Sequence, residues 1–248
     1  MELQGKVALV TGGGTGLGKV ISLKLAREGA DVAVVYSRSA VEAEQTVGEI
    51  RALGRRAIAL RADVSRAADV DAMVDEVASR LGRIDVLVND AGYTVFVDFK
   101  KLDDVSEEEW DRIMNVNVKG VFLCSRAVAP HMRKQGAGRI VNITSVSGIR
   151  AGGSSIPYSV SKAAETMLTK CLAMALAPEI TVNAVAPGLM DTRWGRLWGD
   201  EGMARVAKSM PLQKIASLDD IADAAVFLVK NDSMTGQSVV VDGGGLMH

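Results

Sequence analysis

Thr11-Gly12-Gly13-Gly14-Thr15-Gly16-Leu17-Gly18 is the stretch on which the reading of this chain turns. An apolar run, Lys6 to Val10, leads straight into it, and a helical pattern from Leu17 to Arg27 leads out. Glycines, having no Cβ, let a backbone approach a pyrophosphate closely. The helix that follows offers free N–H groups and a positive dipole end. A glycine-rich loop alone is weak evidence, but a strand before it and a helix after it form the context that phosphate binding requires. A tight turn without a ligand is the other reading.

The alternation begun there continues along the chain. Short β-branched runs recur at Asp31 to Tyr36, Arg56 to Leu60, Ile84 to Val88, Arg139 to Ile143, Ile180 to Val185 and Gln237 to Val241. Most are apolar on successive residues, which suits strands covered on both faces. Helical patterns lie between them, at Val41 to Leu53, Ala67 to Leu81, Glu107 to Met132, Tyr158 to Ala177 and Asp219 to Val229. The expected fold is one α/β domain over residues 1–248. It is doubly wound and Rossmann-like, a seven-stranded parallel sheet flanked by helices on both faces. One insertion, about 189–212, breaks the rhythm after a strand's carboxyl end, where such sheets bind ligands; it is expected to be a substrate lid. A surface excursion packed by its own tryptophans is the alternative.

Lys plus Arg number 29 and Asp plus Glu 30, a net charge of −1. That balance supplies no basic field for nucleic acid or an anionic membrane. Cys124 and Cys171 lie in apolar helical stretches and are expected to be buried thiols in a reducing compartment. No basic segment followed by an apolar run opens the chain, and no apolar stretch approaches a membrane span, so a cytoplasmic location is expected. His131 and His248 match no motif, and no catalytic metal is expected.

The loop's spacing, Gly-x-x-x-Gly-x-Gly after Thr11, resembles that of the short-chain dehydrogenase/reductase family, and the resemblance holds along nearly the whole chain. It implies cofactor contacts from Gly12, Gly14, Thr15, Gly16, Leu17 and Gly18. Asp63-Val64 is similar to the family's adenine contact. Asn89-Asp90-Ala91-Gly92 is similar to its Asn-Asn-Ala-Gly motif, with Asp90 a departure. Pro187-Gly188-Leu189-Met190-Asp191-Thr192 resembles the segment that holds nicotinamide and pyrophosphate, and Val241-Asp242-Gly243-Gly244 the usual ending. Asn117, Ser145, Tyr158 and Lys162 match the family's catalytic set, with Ser145 thirteen residues before Tyr158. By this resemblance the chain interconverts a ketone and a secondary alcohol using a nicotinamide cofactor. Within the family it resembles the branch of 3-oxoacyl-carrier-protein reductases, sugar dehydrogenases and carbonyl reductases.

A spacing of four puts Tyr158 and Lys162 on one helix face. A phenol ordinarily ionises near pH 10, too high for a base at neutrality. An ammonium about 4 Å away contributes roughly 4 kcal/mol at an effective dielectric of about 20, or about three pKa units. That would bring a phenol close to the range where general acid/base catalysis works best. The implied roles follow. Tyr158 protonates the carbonyl oxygen, Ser145 hydrogen-bonds it, Lys162 tunes Tyr158 and holds the nicotinamide ribose, and Asn117 holds a water that links Lys162 to solvent. Taken singly, each also has a plainer reading: a helix aromatic, a turn serine, a solvated lysine, a satisfied helix amide.

The second strand ends Tyr36-Ser37-Arg38-Ser39 with no carboxylate, and Arg38 lies twenty residues past Gly18. An acidic residue there reads the ribose of NAD, whereas a guanidinium suits the 2′-phosphate of NADP, with Ser37 and Ser39 adding hydrogen bonds. NADP is therefore the expected cofactor, NADPH preferred over NADH. Trp194 and Trp198 would share a face if their segment is helical. With Tyr93, Phe96, Met190 and Leu197 they form a candidate apolar substrate pocket beside Ser145 and Tyr158. This favours a ketone with an apolar portion; a 3-oxoacyl-carrier-protein or a sugar remains open, as does a catalytically silent NADP sensor. The helices at about 107–132 and 158–177 are apolar almost all round, which points to burial against further subunits in a homotetramer or homodimer.

Overall fold

The first strand, β1 (Val7–Thr11), is buried at every position, and its side chains alternate between two separate apolar layers. Ala8 and Val10 join one core, Val7 and Leu9 the other. A strand sandwiched in this way needs helices on both faces, and the computed structural model, which describes residues 1–247, supplies them. His248 lies outside the described residues.

Around β1 stand β2 (Asp31–Tyr36), β3 (Ala57–Arg61), β4 (Val86–Asn89), β5 (Gly138–Ile143), β6 (Ile180–Pro187) and β7 (Ser238–Val241). Among the described residues they form one seven-stranded sheet in the order β3-β2-β1-β4-β5-β6-β7, every pair parallel. One face carries α1 (Gly16–Arg27), α2 (Ala40–Ala52) and α8 (Leu218–Lys230), packed through residues such as Ile21, Val47 and Ile221. The other carries α3 (Ala67–Leu81), α5 (Gly120–Lys134) and α6 (Ile156–Leu176), packed through Val74, Val128 and Leu172. The central strands β1, β4 and β5 are buried throughout, while edge strand β7 is half-buried, as the expected doubly wound architecture requires.

Three local readings need correction. The helical pattern Glu107 to Met132 is not one helix. A capping box between Ser106 and Glu109 starts α4 (Glu107–Met114), a π-helical turn spans Asn115–Lys119, and α5 follows. The widened turn centres on Asn117, whose side chain is fully buried, and π turns of this kind gather at functional sites. Trp194 and Trp198 do not lie on one regular helix: a 3-10 turn spans Gly195–Trp198, and α7 (Gly199–Ser209) starts after it. Cys171 is exposed rather than buried, because it faces out from α6, whereas Cys124 lies inside.

Strand order reverses between β1 and β4, which opens a crevice at their carboxyl ends. Thr11 closes its floor. Its buried Oγ1 donates to the Val88 carbonyl (3.3 Å) and accepts the backbone N–H groups of Asp90 (3.1 Å) and Ala91 (3.2 Å). Thr11→Val keeps the shape but strands two donors, and each unmet donor costs on the order of 1–3 kcal/mol. Thermal unfolding is expected to show a Tm several degrees below that of the parent, with cofactor affinity weakened in parallel.

Candidate active site

α6 begins at the crevice. Ser155 caps it, its Oγ accepting the Tyr158 N–H at 3.4 Å, and Pro157 occupies the first turn, where a missing N–H costs nothing. Tyr158 therefore sits at the helix's positive end and Lys162 one turn further in. The Lys162 ammonium lies 5.9 Å from the centre of the Tyr158 ring. It is almost wholly buried, and it donates to the Ile143 carbonyl of β5 at 2.7 Å and to Glu165 at 2.6 Å.

Ser145 stands just past β5. Its Oγ accepts the Ser147 N–H at 3.1 Å, which leaves its own O–H to donate elsewhere. The turn it opens lies directly on α6. A Cβ at Gly148 would come within 2.5 Å of the Lys162 carbonyl carbon, so only glycine allows this approach. Ser145 and Tyr158 line one cleft of 420 Å³ together with Phe96, Met190, Trp194 and Trp198. Trp198 meets the Phe96 ring edge-on, with centroids 6.3 Å apart. Two of the expected pocket residues stand apart. Leu197 is exposed, and the Tyr93 ring carries the Arg112 guanidinium at 3.9 Å instead of lining the cleft.

The amide of Asn117 is saturated by protein. Nδ2 donates to the Tyr93 carbonyl (3.0 Å) and to Ser161 Oγ (2.9 Å), and Oδ1 accepts the Tyr93 N–H (2.8 Å). The side chain thus ties the segment after β4 to α6. Asn89 is likewise internal: Nδ2 donates to Asn142 Oδ1 (2.9 Å), and Asn142 donates in turn to Thr169 on α6 (2.9 Å).

The glycine loop is pinned from behind by Ser22, which donates to the Gly13 carbonyl, and by Thr46, which donates to that of Gly14. A Cβ at Gly18 would lie 2.4 Å from the Gly12 carbonyl oxygen, so α1 can start here only with glycine. Thr15 makes no side-chain cap and the first turn of α1 holds no acidic residue of its own; the Asp90 carboxyl, from the turn after β4, sits against Gly18 in that turn. Thr192 lies across the loop from Gly16 at 3.6 Å, measured from that glycine's Cβ position. Arg193 next to it donates to Ser39 (3.2 Å) and to Glu42 (3.3 Å) at the start of α2. Arg38 and Ser37 are exposed beside them. Further along, Asp63 accepts from the N–H and hydroxyl of Ser65. Val64 is buried against Gly120, Ala91 and Gly92 follow β4, and Pro187 and Gly188 end β6 beside Asp242.

Three features escaped the sequence reading. Glu165 is the one acidic residue of α6, three positions past Lys162, and that was the available signal. Loss of hydration pushes its carboxyl up to about 7, against the pull of Lys162. Asp90 was noted only as a departure from a motif. Loss of hydration pushes it up to about 7 as well, opposed by Lys162 and by the Gly18 N–H. Burial works to lower Lys162, but Glu165, Tyr158 and Asp90 together hold it above the usual ammonium range. Arg193 is the third, a basic residue directly after the Thr192 segment.

Comparison with known proteins agrees with this geometry. The family model described as short chain dehydrogenase matches residues 6–201. The chain belongs to the short-chain dehydrogenase/reductase family. It is 40% identical over 245 residues to a 3-oxoacyl-acyl-carrier-protein reductase of Staphylococcus epidermidis, covering 98% of this chain and 99% of that one. It is 41% identical over 248 residues to a hydroxy(phenyl)methyl-succinyl-CoA dehydrogenase subunit of Thauera aromatica, covering 98% of each. A short chain dehydrogenase from Burkholderia cenocepacia, solved in complex with NADP, superposes with a TM-score of 0.91 at 40% identity, covering 98% of this chain and 99% of that one. Membership makes the chain an oxidoreductase acting on CH–OH or C=O groups.

Asp90 yields a signed pH test. Unfolded, its carboxyl ionises near 3.8; folded, near 7. Between these values the folded state binds the extra proton, so this group's contribution to stability falls as pH rises from about 4 to about 7. Asparagine cannot ionise. Asp90→Asn is expected to gain a few degrees of Tm relative to the parent at pH 8, and little or nothing at pH 4, in calorimetric scans across that range.

Proposed function

We propose that this protein is an NADP(H)-dependent reductase of ketones that carry an apolar portion. The observation that carries the reading is the shared cleft: Ser145 and Tyr158 open onto the same cavity as Phe96, Met190, Trp194 and Trp198. Two polar groups that can grip one oxygen, set in an aromatic-walled space, suit a carbonyl with an apolar substituent. The Staphylococcus relative named for a 3-oxoacyl carrier-protein substrate and the Thauera relative named for a phenyl-bearing acyl-CoA keep an acyl thioester among the substrates worth testing. Thr94, Ser147, Arg150 and Ser154 also line the cleft, so a keto-sugar belongs in the same comparison.

The residues present fit the cofactor. The uncapped N-terminus of α1 and the glycine loop would hold the pyrophosphate, with Thr192 opposite. Arg38 and Ser37 would meet the 2′-phosphate, and Arg193 with Ser39 stands at the same end. The Burkholderia neighbour was solved in complex with NADP, in line with this. When bound, the nicotinamide supplies or accepts the hydride.

In reduction Tyr158 Oη–H donates its proton to the substrate oxygen, and Ser145 Oγ–H donates a hydrogen bond to the same atom. Lys162 supplies positive charge beneath the tyrosine and carries a third N–H beyond the two held by Ile143 and Glu165. Asn117 serves as a positioning residue, fixing α6 against the segment after β4. Residues 189–212, with α7 and the two tryptophans, form the lid over the cleft. Val160, Met167 and Met174 form an exposed apolar stripe along α6, and Phe122 lies exposed on α5. This favours a homodimer or homotetramer built on these helices. Cys124 and Cys171 are free thiols, consistent with the cytoplasm.

NADPH oxidation against a panel of an aromatic ketone, a 3-oxoacyl thioester and a keto-sugar tests the reading. The aromatic ketone is expected to give the highest kcat/KM, and Tyr158→Phe to lower kcat by about two to four orders of magnitude while NADPH still binds. Undiminished turnover in that variant would overturn the mechanism. Arg38→Ala is expected to raise the Kd for NADPH about tenfold and leave that for NADH unchanged, as read by nucleotide fluorescence titration.

A further inference from the structure

Two carboxylates converge on one buried ammonium. Glu165 touches Lys162 at 2.6 Å, and its side chain is 1% exposed against 7% for Lys162. Asp90, in the turn after β4, sets its carboxyl against Gly12 and Gly18 and is near enough for its charge to be felt at Lys162 without an ion-pair contact. The charged and titratable groups that face Lys162 are therefore Glu165 and Tyr158 from its own helix and Asp90 from the β4 turn. β5 contributes the neutral Ile143 carbonyl. If all the ions were present, two negative charges would share one positive charge in a poorly hydrated space. Such a cluster is cheapest when one carboxyl keeps its proton.

We propose that Glu165, seconded by Asp90, is a positioning residue that sets the pH dependence of catalysis: it claims part of the charge of Lys162 and so holds Tyr158 in its proton-donating form. The inference rests on the reading of Tyr158 and Lys162 as the working pair. A lone lysine beneath a tyrosine favours the phenolate, the form that oxidises alcohols. A lysine already neutralised by Glu165 favours the phenol, the form that reduces ketones. The two carboxyls near 7 make this a graded device. As pH rises through neutrality the cluster gives up its shared proton and becomes more negative. It then resists ionisation of Tyr158 more strongly, which extends the range over which the enzyme works as a reductase. The consequence belongs to this chain's own residues, since it needs an acid at both position 90 and position 165.

The test compares Glu165→Gln, which keeps the side chain's shape, with Asp90→Asn. In each, the rate of alcohol oxidation is followed against pH with saturating oxidised cofactor, and Tm is read alongside. Removing a negative charge from the cluster is expected to move the rising limb of the profile to lower pH, by about one unit for Glu165→Gln and less for Asp90→Asn. In the cofactor-free protein, infrared difference spectra on raising the pH are expected to show loss of a protonated-carboxyl band near neutrality, and Glu165→Gln or Asp90→Asn to remove or displace it. A folded Glu165→Gln variant whose profile does not move, or moves to higher pH, overturns the proposal. Should that variant fail to fold, Asp90→Asn decides by the same criterion. Full turnover in Tyr158→Phe would mean instead that the underlying catalytic reading has failed. Loss of turnover there, with unmoved profiles in the two carboxylate variants, would overturn this inference alone.

Discussion

The hydroxyl of Thr11 holds the one place in the sheet where the chain's winding changes direction. β1 and β4 are neighbours in space although most of the first half-domain lies between them, and the loops that leave them must diverge. Three hydrogen bonds to Thr11 Oγ1 keep the turn after β4 against the end of β1. From that junction the glycine loop and the Asn89–Gly92 turn leave the sheet, and the crevice at this point is where sheets of this kind bind ligands. The tight contact of Gly18 with Gly12 and Asp90 is a further consequence of the same closeness.

From there the polar framework passes inward. Asn89, Asn142 and Thr169 link β4, β5 and α6, while Asn117 and Ser161 link the π turn to the same helix. Each amide is satisfied by another element's polar group, and buried networks of this kind specify one arrangement because a misfit leaves a donor unmet. α6 is thereby placed to within the tolerance that two chemical groups on successive turns demand. The price of the arrangement is a lysine with little water around it. An isolated buried ammonium would lose its proton; here Glu165, Tyr158 and Asp90 offset that loss.

Much of this was legible in the residues. Strand positions, the parallel sheet and the anion-binding loop follow from apolar runs, periodicity and glycine placement, which are local properties. Most strand boundaries missed by a residue or two because a strand ends where backbone pairing with its neighbours stops, and those neighbours are distant in sequence. The split of the Glu107 to Met132 pattern was not legible, since a π turn keeps helical apolarity while shifting its phase. Exposure of Cys171 was not legible either: an apolar helix face open to the surface reads in sequence like one turned toward a core. Tyr93 counts among the aromatic pocket candidates in the sequence, yet its ring packs against the Arg112 cation instead.

The sequence by itself determined the fold class and the family. Each rests on residue type at a fixed spacing within one or two elements, and backbone geometry turns spacing directly into position. Only the tertiary structure decided what surrounds the ammonium of Lys162. Asp90 is far from it in the chain, and only burial shows that Glu165 faces inward. The electrostatics of a buried ion depend on every charge within a few ångströms and on the water excluded from between them. Those are properties of packing, and no local stretch of residues carries them.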